Sequence, residues 1–263
     1  MAKPPEESMK NDFGKPLYKI LSLLLGMILM SACAMKIGDF EVQIGDPEML
    51  EVGELQREVE TVPAEGVERV DVEVRMNAGT LALTGGSEAL MEAEFTYNVD
   101  EWQPAVSFEQ EAGIGTLTVR QPLKGTIQAA DARNEWSLRF NENIPMRMSV
   151  SLGAGEVDID LRGLNLEDLD IELGAGQVTI DLSGDWDQDF SVNLKRGVGE
   201  ASVLLPADVG VRVNVASGLG SVVSLGLSRQ GEYYVNEAYG DSEVTIEIEI
   251  LGAIGSIELE VIE

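Results

Sequence analysis

The sequence predicts an all-β fold, a β-solenoid-like stack of short strands, with a β-sandwich as the alternative winding. Three observations predict it. First, apolar and charged residues alternate from Val67 onward, as in Val70-Asp-Val72-Glu-Val74 and Val157-Asp-Ile159-Asp-Leu161. A period of two puts Val157, Ile159 and Leu161 on one face of a strand and Asp158 and Asp160 on the other. Second, Gly-x-Gly triplets recur inside these runs, and their second glycines at 155, 176, 199 and 220 lie 21, 23 and 21 residues apart. Such a period marks a supersecondary repeat. Third, no long stretch carries the 3.6-residue period of an amphipathic helix.

Each unit reads strand, glycine turn, strand. One unit presents an apolar row that it cannot bury alone, so neighbours must stack. Glycine is expected at the corners because tight turns often need positive φ, which glycine adopts without a Cβ clash. Strand and turn spacing leave the winding open between a solenoid and a Greek-key sandwich.

Residues 1–32 read as a secretory signal. Lys3, Lys10, Lys15 and Lys19 precede the apolar run Ile20–Met30, and Met30-Ser31-Ala32 precede Cys33. Spanning a bilayer as a helix takes roughly 20 residues, and this run has eleven. A basic region, a short apolar run and small residues before a cut are the grammar of export. The small residues beside Cys33 resemble a bacterial lipobox, which implies diacylglycerol on the thiol and cleavage before Cys33. Two acyl chains give a lasting anchor, at ~0.8 kcal/mol per buried methylene. Residues 33–66 then read as the lipidated cysteine and a partly extended tether, with a short strand expected at 40–44. A flexible tether of that length reaches on the order of 30 Å.

Charge bounds the partners. The chain of 263 residues carries −29, from 18 basic and 47 acidic side chains. Removal of residues 1–32 leaves −30, because that segment holds four Lys and three acids. This surface repels nucleic-acid phosphates and anionic lipid headgroups, so no nucleic-acid partner is expected and contact with the membrane is expected through Cys33. The location expected is extracytoplasmic. With one cysteine, no internal disulfide forms.

Four patterns bear on chemistry. The Gly-x-Gly turns lack the following helix that a phosphate loop needs, and acidic strands follow instead. Asp185-Trp186-Asp187-Gln188-Asp189 opens like a calcium-binding EF-hand loop, but Phe190 stands where glycine belongs and Arg196 where glutamate belongs. Acids occupy nearly every outward strand position, so no carboxylate pair stands out for glycoside hydrolysis. Without His, and with Cys33 committed to lipid, no nucleophile and base pair up. The expectation is a protein that is not an enzyme and uses neither metal nor cofactor. Trp186, Tyr233, Tyr234 and Tyr239 are the candidate binding residues, because aromatics in loops stack on sugars or anchor partners. The long excursion 228–240, which holds the three tyrosines, is the candidate contact surface.

Several stretches together resemble the bacterial toast-rack family. They include Ala78-Gly79-Thr-Leu81-Ala-Leu83-Thr-Gly85-Gly86, Gly115-Thr-Leu117-Thr-Val119-Arg120-Gln121-Pro122 and Asn134-Glu-Trp136. Phe95-Thr-Tyr97-Asn98-Val99, the paired Leu-Gly-Ala-Gly turns at 152–155 and 173–176, Leu205-Pro206-Ala-Asp-Val209-Gly210-Val211 and Tyr234-Val235-Asn236-Glu-Ala-Tyr239-Gly240 complete the set. The resemblance implies an N-terminal section, residues 67–143 here, before a repetitive β section at 144–263. It extends to the C-terminal domain of cell-wall-antibiotic response proteins and to adhesin-like domains, and it supplies no catalytic residues. The function expected is structural or adhesion-like binding at the cell envelope, to a protein or glycan the sequence does not specify. The alternatives are a stress-sensing domain acting on a membrane signalling partner, and a polysaccharide-acting enzyme.

Overall fold

Alternation becomes architecture through strands that are long in register but bent in the middle. The computed structural model describes residues 50–122 and 131–262. Residues 1–32, expected to be a signal, Cys33 and the strand expected at 40–44 lie outside the described residues. In chain order the strands are β1 (Gln56–Val62), β2 (Arg69–Thr84), β3 (Met91–Tyr97), β4 (Ala105–Glu111), β5 (Ile114–Arg120), β6 (Asn134–Phe140) and β7 (Met146–Asp160). They continue with β8 (Leu166–Asp181), β9 (Phe190–Pro206), β10 (Gly210–Leu225), β11 (Ser228–Gln230), β12 (Tyr233–Val235) and β13 (Thr245–Ile262). Among the described residues the only helical element is a 3-10 turn at Asp100–Trp102, and no helix is long and apolar enough to cross a membrane.

The bend is visible in the burial parity of β7. Met146, Met148, Val150 and Leu152 are buried before the corner, and Val157, Ile159 and Leu161 after it. The parity flips because Gly153-Ala154-Gly155 turns the strand, so both arms aim their apolar rows into one shared core. Burying a Val, Leu or Ile contributes roughly 1.5–3 kcal/mol, and the rows repeat in every coil. Successive coils pair in parallel and in register straight through the corner, Ala154 with Ala175 and Gly155 with Gly176. The chain therefore winds as a solenoid, two-armed and flattened, and the Greek-key alternative is set aside.

The coils stack in the order β2, β7, β8, β9, β13, β10. The last repeat of the sequence is not the last coil. β13 lies parallel between β9 and β10, with Ile248 facing Val192 on one side and Val213 on the other.

At the other end, β2 splits its neighbours at its corner. Its first arm pairs with β5, which pairs antiparallel with β4. Its second arm pairs with β6, followed by β3 and β1. β4 and β5, joined through Ala112 and Gly113 at positive φ, are thus a hairpin and not another coil. Because β2 pairs with β7, the sections 67–143 and 144–263 share one sheet and one core. The reading of 33–66 as tether also ends early. Gln56–Val62 is a paired strand whose side chains are mostly exposed, so it carries no apolar period to read. Backbone pairing holds it, with an Arg57–Glu94 ion pair and the Tyr97 hydroxyl donating to Glu58 at 3.2 Å.

A polar cluster closes the first corner. Gln121 Oε1 accepts from the Asn77 amide at 2.9 Å and from Asn134 Nδ2 at 3.1 Å. Trp136 Nε1 donates to Asn134 Oδ1 at 2.9 Å, and its ring meets Phe95 edge-on at 5.3 Å. The buried amides of Gln121 and Asn134 thus have partners, as burial demands.

Candidate functional site

The excursion 228–240 is a hairpin rather than an irregular loop. β11 and β12 pair antiparallel about Gly231, whose φ is +64. β12 then pairs antiparallel with the first arm of β10, over Arg212–Asn214. Asn236 fastens this hairpin. Its Oδ1 accepts from the Val211 amide at 2.9 Å, and its Nδ2 donates to Pro206 O at 3.0 Å and Val209 O at 2.6 Å.

Alternation along β12 sends two tyrosines to different places. Tyr234 packs against the core, with Arg229 5.7 Å from its ring centroid. Tyr233 is half-buried, and the Arg212 guanidinium lies 4.8 Å from its ring centroid. Arg212 also donates to Glu247 at 2.6 Å. That hydrogen bond raises the Arg212 pKa further, with smaller electrostatic contributions from Glu247, Tyr239 and Tyr233, against the opposing effect of desolvation. Tyr233, Arg212 and Glu247 thus form one cluster, a half-buried aromatic ring facing a cation that a carboxylate holds in place, and the half-buried Tyr239 follows on the same excursion. A planar guanidinium with an aromatic face beside it can stack on a sugar ring or take up a carboxylate.

Trp186 goes elsewhere. Its indole is buried, donates to Leu182 O at 2.8 Å and packs on Phe190 at 4.4 Å. It fills the connection between β8 and β9 as part of the core, with 7% of its surface exposed. In the same loop, Asp189 accepts from the Thr245 amide at 2.7 Å and ties the loop to β13. Among the described residues no three acidic or cysteine side chains cluster as metal ligands.

A second feature was not anticipated. A groove of about 950 Å³ runs along the corners, past Arg75, Ser151, Glu172, Lys195 and Leu251. Lys195 pairs with Glu172 at 3.2 Å inside it. Beside the groove, the buried Arg196 donates to Gly199 O and, at 3.0 Å, to Ser256 O. Burial lowers the pKa of Arg196. In register this arginine takes the inward place that Leu173 holds one coil earlier. In the sequence Arg196 stands out only as a failed EF-hand position; alignment of the repeats exposes it.

Two family models match the chain. The one described as the N-terminal domain of toast_rack matches residues 51–204. The one described as cell wall-active antibiotics response LiaF, C-terminal, matches residues 154–259. Among solved structures, a candidate cell adhesion protein from Clostridium sporogenes is 34% identical, with a TM-score of 0.77 over 80% of this chain and 100% of that one. A candidate adhesin from Bacteroides fragilis aligns over 79% of this chain and 99% of its own at 8% identity, with a TM-score of 0.30. No curated protein matches the chain.

Proposed function

The chain belongs to the toast-rack family, and from that premise we propose that it is an extracytoplasmic, lipid-anchored protein whose non-catalytic β-domain serves adhesion-like binding at the cell envelope. The observation that carries the binding role is Arg212 lying over the half-buried ring of Tyr233, with half-buried Tyr239 on the same excursion, at the hairpin-covered end of the stack. An in-register stack is stiff, so these side chains are presented at low ordering cost. The description of the Clostridium sporogenes relative as a candidate cell adhesion protein supports the same reading.

Replacing Tyr233 and Tyr239 together by Ala is expected to weaken binding to isolated envelope material about tenfold or more, as loss of an aromatic anchor does. Pull-down of the chain on that material measures it. Undiminished binding with the domain still folded would remove this surface from the proposal.

The anchor is tested on its own. Cys33→Ser is expected to abolish lipid labelling and cleavage before residue 33, read by metabolic labelling with a fatty-acid analogue and by intact mass. Normal labelling of the variant would overturn the assignment.

A second reading, that the domain reports envelope stress to a membrane signalling partner, is favoured by the antibiotic-response match over residues 154–259. It predicts that deletion blunts the transcriptional response to cell-wall antibiotics.

A further inference from the structure

We propose that the second arm of β10 is a self-association edge, at which two copies of this chain pair antiparallel about a two-fold axis. Every free sheet edge exposes unpaired backbone amides and carbonyls, and folded proteins blunt such edges with charge or cover them. The edge of β1 carries Arg57, Glu58 and Glu60, and that of β4 carries Glu109 and Glu111. The first arm of β10 is covered by β12. The second arm, Ser217–Leu225, pairs with β13 on one side, and among the described residues nothing pairs with it on the other. Its sequence, Ser-Gly-Leu-Gly-Ser-Val-Val-Ser-Leu, has no charged residue, in a chain of net charge −29.

The surface beside the edge is apolar as well. Leu219 is 70% exposed, and Val223, Leu225, Ile254 and Val198 are exposed with it. Register places Leu219, Ile254 and Val198 side by side on three adjacent coils. Exposed apolar side chains gathered at one end of a stack mark an interaction site rather than ordinary surface scatter.

Charge selects the occupant. Glu258 and Glu260 stand one strand inward, beside Val223 and Leu225. An incoming acidic strand would meet them at close range, so the partner strand must be extended and free of acidic residues. Among the described free edges, β1 and β4 carry glutamates and β11 is only three residues long, so the edge that is both long and free of acids is Ser217–Leu225 itself. A pairing centred on Val223 sets it against its own copy and Ser221 against Leu225. The nearest acidic rows of the two copies then stand three strand spacings apart, roughly 14 Å, beyond the Debye length of about 8 Å at physiological salt. The edge works as a neutral spacer between two strongly acidic bodies. Such an interface is isologous and closes at the dimer.

The test takes the full chain in density-matched detergent, with mass read by sedimentation equilibrium. The wild-type chain is expected to dimerise reversibly with concentration. Val223→Glu, which sets two carboxylates against each other at an exposed position, is expected to be monomeric. Val59→Glu, the same charge change on the edge of β1, is expected to leave the dimer intact. In cells, Val223→Cys is expected to give a disulfide-linked dimer under mild oxidation, and Val59→Cys is not. A wild-type chain that stays monomeric, a Val223→Glu chain that stays dimeric, or a Val223→Cys chain that captures a different protein would each overturn the proposal. None of these readouts depends on the Tyr233 and Tyr239 surface.

Discussion

Gly176→Val is expected to unfold the domain or to lower its melting temperature by roughly 10–20 °C, at 2–4 °C per kcal/mol for a chain of this size. Two independent penalties combine at this position. The φ of Gly176 is +134, where a side chain is strained by about 1–3 kcal/mol. A Cβ there would also stand 1.8 Å from the carbonyl oxygen of Gly155 on the preceding coil. That oxygen belongs to the backbone, so no rotamer change relieves the clash, and overpacking adds about 1–3 kcal/mol or more. Gly199 and Gly255 repeat the geometry, each with a carbonyl 1.7 Å from the would-be Cβ. Gly231→Ala is the matched control. Its φ is +64 and nothing lies within 4 Å, so only backbone strain of about 1–2 kcal/mol remains. Thermal unfolding followed by circular dichroism measures both; equal melting temperatures would refute the stacked-corner geometry.

Asn236→Ala is expected to destabilise the chain by on the order of 3 kcal/mol and to release the β11–β12 hairpin. The side chain is buried and serves one backbone amide and two backbone carbonyls. Each buried group left without a partner costs about 1–3 kcal/mol, offset where the loosened hairpin admits water. Hydrogen exchange should lose protection first at Val211 and in β12, while β8 and β9 stay protected. Retained protection at Val211 would show that another group satisfies its amide.

The repeat was legible because two physical constraints fall on the same residues. The second glycine of each corner needs positive φ, the reason read from the sequence. The first glycines at 153, 174 and 197 do not adopt positive φ; a Cβ on them would come within 2.3–2.4 Å of a backbone oxygen on the coil before. Close stacking, rather than turn conformation, excludes side chains there, and no single repeat reveals that. The insertion of β13 between β9 and β10 was hidden because neighbouring coils present near-identical apolar rows, so periodicity leaves their order open. Trp186 was a candidate because it lies in a loop, yet the connection folds the ring inward onto Phe190. Tyr233 and Tyr239 were singled out from sequence, but Arg212, which lies over the Tyr233 ring, is on another strand and entered only through the pairing of β10 with β12.

The central claim, that the hairpin-covered end of the stack is the binding surface, is tested most directly by placing a photo-crosslinking residue at position 233 of the lipidated chain in intact cells. The proposal predicts one specific envelope component covalently captured there, and none from a crosslinker on the acidic outer row at Asp158. Equal capture from both positions, or none from position 233, would contradict it.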